Sequence, residues 1–138
     1  MAGIILVTHN GLGDALVDCV AHVLGSAPQS LMVLSIRPND DPERKKAEGR
    51  AVVAHLDKGD GVLLLADMYG ATPSNIATDL CQLPNVAGVA GLNLPMLLRV
   101  VTNAGKPLEE LARIALEGGR DCIVPINSVP SDACHAAK

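Results

Sequence analysis

A doubly wound α/β fold with a mostly parallel sheet is what three observations in this sequence predict. Short apolar runs of strand length, at 4–7, 31–36, 62–66 and 86–92, suit strands buried on both faces. Between them lie stretches whose apolar residues return at helical spacing. The two patterns alternate from one end of the chain to the other, and right-handed crossovers then build a single sheet. The 138 residues suit one domain with a real core.

The first strand, β1, is Ile4-Ile5-Leu6-Val7 running into Thr8-His9-Asn10-Gly11, and three of its four apolar residues are β-branched. Leu12, Ala15, Leu16, Cys19, Val20 and Val23 then repeat as one face of a helix, α1, ending near Gly25. Residues 31–36 form β2. Asp41 followed by Pro42 is a capping side chain and a first-turn proline, so α2 starts there and runs to about Lys58. Residues 62–66 form β3, ending on Asp67. Helix α3 starts near Pro73 with Thr72 as its expected cap and reaches about Cys81. Residues 86–92 form β4. Asn93-Leu94-Pro95 opens α4, and Lys106-Pro107 opens α5, which is expected to stop at Gly118-Gly119. Asp121 to Ile126 reads as a last short strand, terminal or at an edge because Pro125 cannot donate to a ladder. Residues 127–138 read as a small-residue, frayed tail, leaving 1–126 as the domain.

Composition removes several function classes. Hydrophobic residues make up 49% of the chain, yet Phe and Trp are absent and Tyr69 is the only aromatic. That excludes a single-stranded nucleic-acid platform built on stacked aromatics. The net charge of −4, with no basic run longer than Arg44-Lys45-Lys46, argues against any nucleic-acid footprint. No stretch reaches membrane-spanning length, and β1 begins within three residues of the start, leaving no basic leader; the expectation is a cytoplasmic protein with no membrane insertion. Cys19, Cys81, Cys122 and Cys134 lack C-x-x-C spacing, and the first three read as buried or half-buried thiols. His22, His55 and His135 read as surface residues, no two histidines have metal-ligand spacing, and the sequence calls for no cofactor or metal.

The alternation predicts the strand order 2-1-3-4, with its switch point between β1 and β3, which brings His9 and Asp67 to one sheet edge. A carboxylate that accepts one imidazole N–H fixes the tautomer and frees the other nitrogen as a nucleophile. Asn10 and Gly11 precede α1, and Gly70-Ala71-Thr72-Pro73-Ser74 precedes α3. Helix starts of this kind bind phosphate through backbone N–H groups, here with the Thr72 and Ser74 hydroxyls at hand. A nucleophilic imidazole, an orienting carboxylate and a phosphate cradle point to phosphorylation of His9. Each part has a plainer role as well. A lone strand-end histidine is commonly a turn residue, Asp67 can cap a turn, and Met68 and Tyr69 can pack the loop or form a protein-docking rim.

These residues resemble the IIA component of the mannose-type permeases of the bacterial phosphoenolpyruvate-dependent sugar phosphotransferase system. The matching segments are Ile4 to Gly11, Ala66 to Asn75, and Gly88 to Leu97, in the order and spacing of that family. The resemblance implies that His9 takes a phosphoryl group on Nε2 from the phosphocarrier HPr while Asp67 holds Nδ1–H. The phosphoryl group would pass on to an acceptor, usually a IIB domain. It implies a phosphate-contacting hydroxyl at Thr72, where relatives often have serine. It also implies a homodimer in which the last strand, Cys122 to Ile126, crosses to the partner's sheet. Asn93, Pro95 and Met96, after β4, join Met68 and Tyr69 as expected docking residues. Arg99 stands where relatives often carry an acid and receives no role. Many relatives continue into a IIB domain, so the acceptor stays open.

Three other readings bear on the same residues. A free-standing regulatory IIA protein would use the same His9 chemistry to control binding to a target protein. The IIA-like subunit of dihydroxyacetone kinase has a similar β1 histidine, but the motifs from Asp67 and from Asn93 favour the mannose type. A receiver domain shares the sheet order but needs an acidic pair after β1, where this chain has His9-Asn10.

Overall fold

The computed structural model describes residues 1–128. Its four strands are β1 (Gly3–His9), β2 (Leu31–Ile36), β3 (Val62–Ala66) and β4 (Val86–Ala90), and its helices are α1 (Leu12–Leu24), α2 (Pro42–Leu56), α3 (Thr72–Leu80), α4 (Leu94–Thr102) and α5 (Leu108–Asp121). The sheet is all parallel in the order β2-β1-β3-β4. β1 and β3 lie at its centre, and their runs 4–7 and 62–66 are apolar because both faces of these strands are covered. Ile4, Leu6, Leu63 and Leu65 pack with Val20 of α1, Leu97 and Val100 of α4, and Leu111 and Ala115 of α5. The alternate residues Ile5, Val7, Val62 and Leu64 pack with Val53 and Leu56 of α2 and Ile76, Ala77 and Leu80 of α3. The two-residue period of a strand thus feeds two cores with one uninterrupted apolar run.

Several boundaries follow their local chemistry. Asp41 accepts the Glu43 N–H at 3.1 Å and Pro42 occupies the first turn of α2. Gly25 closes α1 at φ +90°, a left-handed cap. Gly13 has a different reason to be glycine. A Cβ there would lie 2.7 Å from both Thr8 Oγ1 and Val33 Cγ1, so the first turn of α1 can seat against the sheet only without a side chain.

Three expectations are corrected. α5 does not stop at Gly118-Gly119 but runs through both to Asp121. These glycines are packing residues: a Cβ on Gly118 would meet Arg99 Cδ at 2.7 Å, and one on Gly119 would meet Met96 Cε at 2.6 Å. They let α5 lie close on α4. The short strand expected at 121–126 is absent as well. Residues after α5 lead to a 3-10 turn at Ile126–Ser128, with Ile123 77% and Ile126 96% exposed. A strand exists by pairing, and no described strand pairs with this segment. The cysteines also differ from one another. Cys19 is exposed, and Cys81 is half-buried with its thiol pKa pushed up by burial. Cys134, His135 and the expected tail from residue 129 onward lie outside the described residues.

Candidate functional site

The site forms where β1 and β3 end side by side. Parallel pairing sets Val7 opposite Ala66, so the next residues of the two strands emerge at the same edge. The Asp67 side chain is only 8% exposed, and each of its oxygens is engaged. Oδ1 accepts the Met68 N–H at 2.9 Å; Oδ2 accepts the His9 backbone N–H at 2.9 Å and lies 2.8 Å from His9 Nδ1. A carboxylate only accepts, so the ring proton belongs on Nδ1 and Nε2 keeps its lone pair. The imidazole is 45% exposed. The result is a nucleophilic nitrogen on an exposed ring whose orientation is set from beneath by a buried, backbone-anchored carboxylate.

Thr8 supports this arrangement from below. It is fully buried, and its Oγ1 accepts the Gly13 N–H at 3.0 Å, tying the first turn of α1 to the end of β1. Asn10 takes the left-handed conformation at φ 48°, which asparagine tolerates well, and donates its N–H to Ile36 O at 2.9 Å. The chain therefore turns sharply after His9 while remaining attached to β2.

A cleft of about 350 Å³ lies beside the imidazole, lined by His9, Asn10, Ile36, Arg37, Pro38, Asp40, Pro42 and Thr72. Of the expected phosphate-binding residues it gathers Asn10 and Thr72. Gly11 and Ala71 occupy the cap positions of α1 and α3, and neither helix has a side-chain cap. Thr72 is the first residue of α3 and not its cap, so its hydroxyl is not consumed in starting the helix. Gly70, at φ +85°, makes the turn that delivers the chain to α3. Ser74 is corrected. It is 4% exposed and lines a separate groove with Ala77, Cys81 and residues 88–90, because two residues past Thr72, a rotation of about 200° around the helix, turn its side chain toward β4.

The docking residues divide in the same way. Met68 and Tyr69 are 53% and 83% exposed beside Asp67, and Leu12, read from sequence as part of the buried face of α1, is also largely exposed. Met96 is corrected from docking to core: it is 3% exposed and packed against Gly119. Asn93 is likewise occupied by the fold, accepting the Met96 N–H at 2.9 Å and donating to Gly119 O at 3.0 Å. Pro95 is half-buried in the first turn of α4. Among the other described residues that line the cleft, Arg37 is the one with a fixed positive charge. The available signal was its place directly after β2, the strand beside β1. Among the described residues no group of His, Cys, Asp and Glu is arranged to hold a metal ion, and no helix is long and apolar enough to cross a membrane.

The carboxylate-oriented histidine thus sits at the switch point of the parallel sheet, between two helix starts without side-chain caps. The profile of the family described as "PTS system fructose IIA component" matches residues 3–115, and the chain belongs to this family, the mannose-type IIA proteins of the phosphotransferase system. It is 26% identical over 137 residues to the Escherichia coli (strain K12) protein described as "PTS system mannose-specific EIIAB component", covering 97% of this chain and 42% of that protein. The chain thus spans less than half the length of the curated relatives it matches. Among solved structures it resembles phosphotransferase system component EIIA from Streptococcus agalactiae, with a TM-score of 0.83 at 20% identity, covering 92% of this chain and 98% of that one. The mannose/sorbose specific IIA subunit from Enterococcus faecalis gives 0.82 at 23% identity, covering 94% and 96%. At these identities the two structures speak to the fold, which they share.

Proposed function

We propose that residues 1–126 form a phosphohistidine carrier domain that accepts a phosphoryl group from HPr on His9 Nε2 and hands it to a IIB-type acceptor in the cytoplasm. The observation that carries this reading is the 2.8 Å approach of His9 Nδ1 to Asp67 Oδ2. In the transfer, the Nε2 lone pair forms a bond to phosphorus while the bond to the donor's nitrogen breaks in line behind it. The donor nitrogen keeps that electron pair. The His9 ring then carries positive charge, which Asp67 stabilises through Nδ1–H. The phosphoryl oxygens meet Thr72 and the open N–H groups of α1 and α3. Positioning and charge do the catalysis, as a loose transition state requires. Met68 and Tyr69 form the rim on which the protein partners dock. The exposed Ile123 and Ile126, together with the partly exposed edge strand β4, support the family's homodimer with exchange of the C-terminal segment. The regulatory alternative uses the same His9 chemistry, and the family match favours the carrier.

Reconstitution with phosphoenolpyruvate, enzyme I and HPr tests the reading. The wild-type chain is expected to take up acid-labile phosphate and His9→Ala to take up none. Phosphate retained on His9→Ala would sink the assignment.

A further inference from the structure

We infer that Arg37 is a phosphoryl-contacting residue: its guanidinium holds the oxygens of the group in flight to and from His9. The inference rests on the carrier reading above and adds to it a residue that the other parts of the site do not supply.

Position is the first argument. His9 pairs with Ile36 across the β1–β2 ladder, and the Asn10 N–H binds Ile36 O, so Arg37 is the first residue of the neighbouring strand to clear the sheet beside the nucleophile. It lines the cleft that His9 and Thr72 also line.

Its backbone is also held in place. The Arg37 N–H donates to Asp40 Oδ2 at 2.7 Å, the Asp40 N–H donates back to Arg37 O at 3.1 Å, and Pro38 restricts the turn between them. An exposed arginine on a mobile loop would lose much of its binding energy to ordering. Here the turn is already closed, and only the side chain has to settle.

Charge is the third argument. A phosphoryl group enters with negative charge, and two carboxylates already stand nearby. Asp67 is committed to His9 and Met68, and Asp40 accepts the Arg37 N–H with Lys45 Nζ 4.0 Å away. Among the described residues that line the cleft, Arg37 is the one side chain with a fixed positive charge, and no described ion pair engages it. A planar guanidinium binds two phosphoryl oxygens at once, which a single hydroxyl such as that of Thr72 cannot do.

The test uses two donors on wild type, Arg37→Gln and Arg37→Lys: phosphorylated HPr, and phosphoramidate, a small donor that releases ammonia and needs no protein docking. Arg37→Gln is expected to slow phosphorylation of His9 by about tenfold to a hundredfold with both donors, as loss of a charge-assisted contact would. Arg37→Lys is expected to recover part of that loss. A wild-type rate for Arg37→Gln with phosphoramidate overturns the inference. If the loss appears with HPr alone, Arg37 serves docking, and the inference is again overturned while the carrier reading stands. A wild-type chain that takes phosphate from neither donor overturns both.

Discussion

The four helices that follow the four strands begin in two different ways. α2 and α4 start on side-chain caps: Asp41 accepts from Glu43 N, and Asn93 accepts from Met96 N. α1 and α3 start on Gly11 and Ala71, which have no side chain able to cap. The difference follows the sheet order. α1 and α3 leave the two central strands, whose ends meet at the switch point, whereas α2 and α4 leave the outer strands. Where a helix start serves only the fold, its N–H donors are satisfied locally. At the two starts beside His9 no side chain caps the helix, and free N–H donors with the positive end of the dipole suit the proposed phosphate site. On α1, Thr8 takes up the Gly13 donor from beneath, which ties the helix down without covering the side that faces the cleft.

This contrast can be broken by exchanging the two kinds of start. Ala71 has extended backbone (φ −110°, ψ 175°) that suits a capping residue. Ala71→Asp is therefore expected to stabilise α3 by about 0.5–1 kcal/mol. It also sets a carboxylate against the incoming phosphoryl group, slowing phosphorylation of His9 by on the order of a hundredfold. Ala71→Ser, a cap without charge, is expected to give the stability with only a few-fold loss of rate. Melting curves and phosphoryl-uptake rates on the same preparations decide the matter, and a faster Ala71→Asp protein would end the idea that these donors are kept open for phosphate.

Asn93→Ala should behave in the opposite manner. It removes the α4 cap and the tie to Gly119, with an expected loss of about 2 kcal/mol in denaturant unfolding and unchanged transfer. Impaired transfer in a protein of normal stability would return Asn93 to the docking rim. The smallest effect is expected at Asp41, which is exposed: Asp41→Ala should cost about 1 kcal/mol and leave phosphorylation at the wild-type rate. A rate defect there would show that α2 is coupled to the cleft.

Much of this site was legible in the chain because its two principal groups end strands. Once the run 4–7 is read as β1 and 62–66 as β3, a parallel order with its switch between them leaves His9 and Asp67 little choice but to meet. The residues misread are those whose role turns on helix phase. Thr72 was expected to cap α3, but the helix begins one residue earlier, with Ala71 in the cap position. Ser74 carries the same hydroxyl as a cleft residue yet faces the opposite groove. Met96 follows β4 as a site residue might, but Gly119 of α5, distant in sequence, receives its side chain. The Gly118-Gly119 pair has the local look of a stop signal, and only the approach of Arg99 and Met96 shows why a helix continues through it.

By itself, the sequence determined the alternation of elements, the parallel sheet and the pairing of an imidazole with a carboxylate. Each of these is written in local periodicity and in which residues end a strand. The tertiary structure decided which helix starts stay open, which side chains of the two loops face the cleft, and that Arg37 joins His9 there. Those outcomes depend on strand register, helix phase and contacts between residues far apart in the chain, and no window of neighbouring residues contains them.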